Sequence, residues 1–250
     1  AILNCVTLKF FEEFKSMLET RKLTAGYGNM EIIRDIDVKF NSGELTAIIG
    51  PNGSGKSTLT KSLINSIKYF SGEIFFNDLN ITHTSTFDII SSGIALVPQV
   101  KNIFPTMTVQ ENLDISTNAK DKNTRNLSFD NIYQKFPRLK ERINIRASNL
   151  SGGERQMLAI GCAIINSPTL IILDEPTTGL SPQLSKEVAD SIKTILKDGT
   201  SVVWVVEENP KDVLEIAEWV YVMDGGAVRI SDSADAILNS KDFKKLFLGI

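Results

Sequence analysis

The sequence is poor in the residues that hold metal ions or form covalent cross-links. It contains two cysteines, Cys5 and Cys162, which lie far apart, and one histidine, His83. No CxxC or Cys/His spacing is present, so neither a zinc site nor a disulfide framework is indicated, and a reducing compartment fits best. His83 stands in the polar segment ITHTST, and we interpret it as a surface residue.

Long apolar runs and an excess of positive charge are also missing. No apolar run approaches the roughly 20 residues that cross a bilayer, and the first residues lack the features of a signal peptide. We therefore expect a soluble, cytoplasmic chain. The formal net charge of −3 offers no basic face for a phosphate backbone, so we expect no nucleic acid partner.

Short apolar segments alternate with segments in which apolar residues have helical spacing. The runs at 44–49, 169–173 and 201–206 are typical of strands covered on both faces, and 35–40 alternates like a half-exposed strand. Further strands are predicted at 72–77 and 94–98, helices at 57–67, 152–166 and 183–197, and a hairpin at 220–230 that turns at Gly225-Gly226. This order predicts an α/β fold with a mostly parallel sheet between helices.

The middle and the beginning of the chain differ from this pattern. Apolar runs thin out from about 100 to 145, and 119–126 is predicted as a polar loop. A small helical subdomain inserted in the α/β domain explains the change. Met17 begins MLETRKLTAGYG, which is typical of a natural start, so we interpret residues 1–16 as an N-terminal extension, native or not, without assigned function.

GPNGSGKST, at 50–58, is the first motif that carries chemistry. It fits G-x-x-x-x-G-K-[ST] and lies between an apolar strand and a helical segment, which is the context that this phosphate-binding motif requires. The glycines let successive backbone N–H groups face a polyphosphate, Lys56 reaches the β- and γ-phosphates, and the Ser57 hydroxyl can ligate Mg²⁺. The alternative is a structural glycine-rich turn. The nucleotide-binding candidates are Gly50, Pro51, Asn52, Gly53, Ser54, Gly55, Lys56, Ser57 and Thr58.

TLIILDEP, at 169–176, is a buried strand that brings two acids to its carboxyl end, where open α/β sheets bind ligands. Asp174 can hold the Mg²⁺ shell, and Glu175 can polarise an attacking water as general base. An acidic strand end alone is weak evidence. Together with a phosphate loop it predicts a Mg-nucleotide site.

NLSGGERQ, at 149–156, opens a helix. Ser151 and Glu154 form the pattern of a capping box, which needs no ligand. Gly152 and Gly153 nevertheless cost the first turn about 1 kcal/mol each relative to alanine. A phosphate that approaches the helix N-terminus closely would explain this choice of residues.

Together, the three motifs resemble those of the ATP-binding subunits of ABC transporters, from about Leu18 to the end. The resemblance implies a P-loop NTPase core with a mostly parallel sheet, an antiparallel β subdomain and an inserted α-helical subdomain. On this interpretation residues 17–250 are one domain, with the core at about 17–98 and 146–250 and the helical subdomain at about 99–145. It also assigns LSGGE, at 150–154, as the signature motif, which in the family contacts the γ-phosphate held by the partner subunit. One loop and one signature imply a dimer with two composite ATP sites.

The resemblance assigns further roles. Gln99 falls at the Q-loop, which in the family is a Mg²⁺-sensing link to the membrane partner. Tyr27 precedes the phosphate loop where the family places an aromatic residue that stacks on adenine, the alternative being a plain loop tyrosine. The segments 136–142, 151–164 and 175–182 are similar to one ATP-binding subunit of branched-chain amino acid importers, which also tolerates Glu154 and lacks the usual D-loop aspartate, here Ser181.

The strand SVVWVV ends in Glu207, Glu208 and Asn209. The family's switch histidine would fall at Glu208, where the branched-chain subfamily more often has glutamine. A carboxylate about 4 Å from a γ-phosphate is repelled by several kcal/mol at an effective dielectric near 20. Glu208 must therefore be protonated, turned away, or bridged through water or metal. Our hypothesis is a water-mediated or protonated contact, with Glu175 as the base and Glu207 only ending the strand.

The sequence thus predicts a Mg²⁺-dependent ATPase subunit, peripheral on the cytoplasmic face of the membrane, that drives an importer of branched-chain or hydrophobic amino acids. The expected partners are a second ATPase subunit, identical or not, the integral-membrane permease and, indirectly, an extracytoplasmic substrate-binding protein. Two alternatives stay open: a soluble ABC-type switch in DNA repair or translation, and a weakly hydrolysing subunit of a heteromeric importer. The usual marks of the soluble relatives, which are coiled-coil insertions, metal-binding cysteines or paired cassettes, are absent from the sequence.

Overall fold

The computed structural model describes residues 16–100, 102–119, 121–207 and 210–240. The predicted extension therefore lies outside the described residues except for Ser16. The strands are β1 Ser16–Tyr27, β2 Met30–Asn41, β3 Leu45–Ile49, β4 Lys68–Phe76, β5 Leu79–Asn80, β6 Ile94–Val97, β7 Leu170–Asp174, β8 Ser201–Val206, β9 Trp219–Asp224 and β10 Ala227–Ser233. The helices are α1 Lys56–Leu63, α2 Thr86–Ser91, α3 Val109–Ser116, α4 Lys122–Lys135, α5 Pro137–Glu141, α6 Gly152–Ile164, α7 Pro182–Lys197, α8 Lys211–Leu214 and α9 Ala234–Asn239, with a 3-10 turn at Ala147–Asn149.

A mostly parallel sheet has the strand order β10-β9-β3-β8-β7-β6. Its neighbours run parallel except for the hairpin β9–β10, which turns at Gly225 and Gly226 with φ of 56° and 78°. The predicted apolar strands and the predicted hairpin are confirmed. Because β3, β7 and β8 run parallel side by side, the segments that follow them meet at one edge of the sheet.

An antiparallel sheet has the order β2-β1-β4-β5. The predicted strands at 35–40 and 72–77 fall within β2 and β4 and are shorter than the observed elements. Strand β1 had no prediction. Its register shifts between Thr20 and Leu23, where Lys22 has a φ of 47°, and this bulge breaks the alternation by which a strand is recognised.

The parallel sheet is buried on both faces, which explains its continuous apolar runs. Along β8, Trp204 and Val206 pack with the helices α3 to α7, whereas Val203 and Val205 pack with α1 and the antiparallel sheet. The helices between 109 and 141 share the first of these clusters, so the inserted helical part and the α/β core are joined by one apolar interior. The predicted fold class is confirmed.

The loop predicted at 119–126 is wrong over its second half. Helix α4 begins at Lys122, and the Asp121 side chain caps it by accepting a hydrogen bond from Thr124 N at 2.9 Å. The segment is polar because it faces solvent, while the side chains of Phe129, Ile132 and Tyr133 further along the helix are buried. A cap residue followed by a polar first turn has the same residue types as a loop, so the sequence pattern does not distinguish the two.

Candidate functional site: a phosphate loop at the edge of the parallel sheet

The loop that joins β3 to α1 is folded tightly where it leaves the sheet. A Cβ on Gly50 would lie 2.2 Å from the carbonyl oxygen of Met223, and one on Gly55 would lie 2.6 Å from Ile33 Cγ2. Gly53 and Gly55 have φ of 76° and 100°, in the left-handed region that glycine adopts without strain. These glycines therefore hold a loop whose crest, Pro51 to Gly53, is exposed.

Lys56 begins α1 and is buried, with 4% of its surface exposed. Its Nζ donates hydrogen bonds to the carbonyl oxygens of Gly50 at 2.7 Å and Pro51 at 3.0 Å, so the ammonium group lies against the backbone at the start of the loop. Burial lowers the pKa of Lys56, and the negative charges of Glu175, Glu207 and Asp174 oppose that shift. The loop thus encloses one positive charge that neighbouring acids balance.

Ser57 and Asp174 come together from elements far apart in sequence. The Ser57 hydroxyl donates to Asp174 Oδ1 at 3.3 Å, across the gap between the first turn of α1 and the end of β7. Burial raises the pKa of Asp174, while the hydrogen bond from Ser57 and the charges of Lys61 and Lys56 counteract the rise. Two hard oxygen atoms therefore lie side by side next to the loop.

Glu175 follows β7 with a φ of 51°, a left-handed conformation that costs an L residue about 1–2 kcal/mol. Its Oε2 accepts hydrogen bonds from Gln99 Nε2 at 2.7 Å and from Thr178 Oγ1 at 3.1 Å. Gln99 comes directly after β6 and Pro98, at the edge of the neighbouring strand. The strained backbone is consistent with a side chain held in place for function.

The residues fit a nucleotide phosphate. The N–H groups in the first turn of α1 have no carbonyl partner within the helix, as at any helix N-terminus, and the glycine loop leaves them accessible from its exposed crest. The site also fits Mg²⁺, which takes one or two protein oxygens and completes its shell with phosphates and water. Ser57 Oγ and Asp174 Oδ1 are such a pair, and Gln99 could add its Oε1. Within the described ranges, no group of three or more His, Cys, Asp or Glu side chains is placed to hold a metal ion by itself.

Tyr27 ends β1 beside α1. Its hydroxyl lies 3.4 Å from Lys61 Nζ, and 47% of the residue is exposed. Because Lys61 lies one turn of α1 beyond Ser57, the ring is on the flank of the helix that begins at the loop, with Lys61 Nζ 5.8 Å from the ring centroid. The placement is compatible with the predicted adenine contact.

The motif at 150–154 lies elsewhere. Ser151 caps α6 in a complete capping box: Ser151 N donates to Glu154 Oε2 at 2.8 Å, and Glu154 N donates to Ser151 Oγ at 3.2 Å. A Cβ on Gly153 would lie 2.8 Å from Leu184 Cδ2, so packing against α7 explains this glycine without a ligand. In the part of the chain that the structure describes, no hydrogen bond or ion pair joins 150–154 to the phosphate loop.

Burial opposes the charge of Glu154, but hydrogen bonds from Ser151 and the charge of Arg142 outweigh it and lower the pKa of Glu154. Arg142 Nε lies 3.5 Å from Glu154 Oε1. The glutamate is therefore committed to the helix cap and to an ion pair with the segment after α5.

Two site residues were missed by the sequence interpretation. Thr178, whose hydroxyl donates to Glu175, has no feature in the sequence that marks it as a site residue, apart from its position shortly after Asp174-Glu175-Pro176. Glu207 was expected only to end the strand, yet its charge acts on Lys56. This role depends on β8 lying next to β3 and β7 in the parallel sheet, an order that the sequence does not state. Glu208 lies outside the described residues, and His83 is exposed as predicted.

Comparison with known proteins identifies the family. The model of the family described as ABC transporter matches residues 33–178. The chain is 38% identical to the probable branched-chain amino acid transport ATP-binding protein LivF of Archaeoglobus fulgidus, over 94% of this chain and 99% of that protein. It is 35% identical to the high-affinity branched-chain amino acid transport ATP-binding protein BraG of Pseudomonas aeruginosa, over 93% and 100%.

Among solved structures, the ADP conformation of MJ1267, an ATP-binding cassette of an ABC transporter, superposes with a TM-score of 0.82 at 24% identity, covering 94% of this chain and 99% of that one. This similarity supports the fold. Within the described residues, every helix is too short or too polar to span a membrane. The phosphate loop, the acids at the strand ends and these relatives lead to one conclusion: the chain belongs to the ABC transporter family, as an ATP-binding subunit.

Proposed function

We propose that this subunit is a Mg²⁺-dependent ATPase that drives a membrane importer of branched-chain or hydrophobic amino acids from the cytoplasmic face of the membrane. The observation that carries the ATPase proposal is the convergence of Lys56, Ser57 with Asp174, and Gln99 with Glu175 at one sheet edge. The substrate proposal rests on LivF and BraG, whose names state branched-chain amino acid transport.

In this mechanism the chain positions ATP and offsets charge rather than forming covalent bonds. The loop amides and Lys56 hold the β- and γ-phosphates, and Tyr27 stacks on the adenine. Ser57 and Asp174, with Gln99 nearby, would hold Mg²⁺, which would supply positive charge against the phosphates. Glu175, fixed by Gln99 and Thr178, accepts a proton from the attacking water as general base.

A second ATPase subunit completes each site in this proposal. Among the described residues, no hydrogen bond or ion pair joins the signature at Ser151 to Glu154 to the loop of its own chain, which leaves its helix N-terminus for the γ-phosphate bound by a partner. Hydrolysis would release the dimer and transmit the opening to the permease, which a substrate-binding protein supplies from outside. Nothing in this cycle requires nucleic acid.

The test is steady-state Mg-ATP hydrolysis by the purified chain, beside Glu208→His and Glu175→Gln. We expect turnover in the wild type, loss in Glu175→Gln and little change in Glu208→His. Little wild-type turnover that histidine restores would instead assign the chain to a heteromeric importer with a more active partner. Absence of both binding and turnover would contradict the ATPase proposal. Reconstitution with membrane permease subunits, and stimulation by leucine rather than by polar amino acids, would test the substrate.

A further inference from the structure

Glu207 lies at the same sheet edge as the phosphate loop. In the parallel register Ile49 pairs with Val206, and Val205 pairs with Asp174. Glu207 directly follows Val206, the last residue of β8. It therefore lies level with Gly50, where the loop begins, and beside the segment that carries Glu175. It is half-buried, so its carboxylate is partly withdrawn from bulk water.

The face on which Glu207 lies follows from the alternation of β8. Val203 and Val205 pack in the cluster that contains Leu59 and Leu63 of α1. Two residues on, the same alternation directs position 207 toward α1, whose first residue is Lys56. The electrostatic environment agrees, because Glu207 acts on Lys56 more strongly than Asp174 does and is second to Glu175.

The loop therefore contains one buried ammonium group facing three carboxylates. Asp174 is assigned to the cation shell and Glu175 to the attacking water, so each has a task in the proposed reaction. Glu207 has neither of these tasks in the proposed reaction. Its remaining effect on a bound polyphosphate is repulsion, directly and by offsetting the charge of Lys56.

We propose that Glu207 is an electrostatic tuning residue that weakens the hold of the phosphate loop on nucleotide and so speeds release of ADP. The proposal rests on the proposed function, since it assumes that the loop binds a nucleotide. In such a cycle each turnover requires ADP to leave, and a fixed negative charge beside the loop favours that step. Glu207 touches no reacting atom in this account.

The experiment is binding and release of fluorescent ADP without Mg²⁺, measured by equilibrium titration and stopped flow for the wild type, Glu207→Gln and Glu207→Asp. We expect Glu207→Gln to bind ADP about five- to fiftyfold more tightly, mainly through slower release, and Glu207→Asp to stay near the wild type. The difference should shrink as salt rises. Glu215→Gln, an exposed position just after α8 with the same change of charge, is the matched control and should not change affinity.

The other outcomes overturn the proposal in distinguishable ways. Unchanged ADP affinity in Glu207→Gln removes the tuning role and leaves the ATPase proposal intact. Weaker binding together with a lower melting temperature assigns Glu207 to support of the loop. Unchanged ADP affinity with loss of hydrolysis assigns it to the attacking water. If the wild type binds no nucleotide, the proposed function fails, and the inference fails with it.

Discussion

The phosphate loop and the signature helix are built in opposite ways. The loop site is assembled from segments distant in sequence: Ser57 meets Asp174, and Gln99 meets Glu175, where neighbouring strands end. The signature is local, because Ser151 and Glu154 satisfy one another within a single turn. The loop site has polar groups that converge on a space for a ligand. In the signature, the polar side chains bond to one another, and only the helix N-terminus is left for a ligand.

This difference indicates what each region requires. The loop site has a cation, metal-binding oxygens and a base within one chain. The signature offers the backbone donors of a helix N-terminus, and its one carboxylate, Glu154, is held by the helix cap and by Arg142. We therefore expect substitutions in the loop site to act on chemistry and binding within one chain, and substitutions in the signature to act on hydrolysis only when two subunits meet.

The largest expected effect is that of Glu175→Gln. Loss of the general base should lower Mg-ATP hydrolysis by about 10²- to 10⁴-fold, while ATP binding is retained because the amide still accepts from Gln99 and Thr178. Parallel measurements of turnover and nucleotide affinity check this, with Glu215→Gln as the control for charge. Equal losses of binding and turnover would show that Glu175 supports the site rather than the reaction.

Next is a matched pair of glycine substitutions, Gly50→Ala and Gly153→Ala. At Gly50 the new methyl group meets the backbone oxygen of Met223, which cannot move freely, so we expect a loss of about 1–3 kcal/mol in unfolding free energy and weakened nucleotide binding.

At Gly153 the methyl group meets the end of the Leu184 side chain, which can rotate, and alanine favours the helix by about 1 kcal/mol. Stability should therefore change little, and turnover should be retained because the methyl group faces Leu184 rather than the exposed end of the helix. Thermal unfolding and turnover of both variants check this. Loss of turnover in Gly153→Ala at unchanged stability would show that the bare backbone serves a phosphate rather than packing.

A smaller effect is expected for Ser151→Ala. Removal of the cap leaves Glu154 N without its acceptor and should cost about 1 kcal/mol of unfolding free energy, measured by denaturant titration. Ser181→Ala, which removes the comparable cap of α7, where Leu184 N donates at 3.4 Å, is the matched control for the cost of a cap. Only the Ser151 variant should also lose hydrolysis.

The smallest effect concerns pH. The pKa of Glu154 is lowered in the folded chain, so its contribution to stability is present above the ordinary glutamate pKa of 4.5 and is lost as the pH falls through the lowered folded value. The stability difference between wild type and Glu154→Gln should therefore shrink on acidification below about 4.5. A difference that stays constant as the pH falls well below 4.5 would indicate that Ser151 and Arg142 do not hold the charged form.

Much of the fold and site could be predicted because the relevant signals are local. Buried parallel strands leave continuous apolar runs, and the phosphate loop is contiguous, as is the pair Asp174-Glu175. Strand β1 escaped prediction because its bulge at Lys22 disrupts alternation, and the start of α4 because its cap and first turn are polar.

The site was less predictable where contacts cross between strands. Gln99 and Tyr27 were placed by resemblance, but the hydrogen bond from Gln99 to Glu175 depends on strand order, which the residues alone do not state. The role of Glu207 depends on the register of β8 with β3, and no short pattern records that register.

The most direct test of the comparison is the molar mass of Glu175→Gln in solution, with and without excess ATP, by light scattering. The account predicts a dimer with ATP and a monomer without it, and no dimer when the signature is also blocked by Ser151→Glu, which places a carboxylate at the exposed helix N-terminus. A protein that binds ATP tightly and stays monomeric at every concentration would contradict the expectation that two copies of this chain can join the two regions, and a dimer that ignores the signature would contradict the role given to the signature.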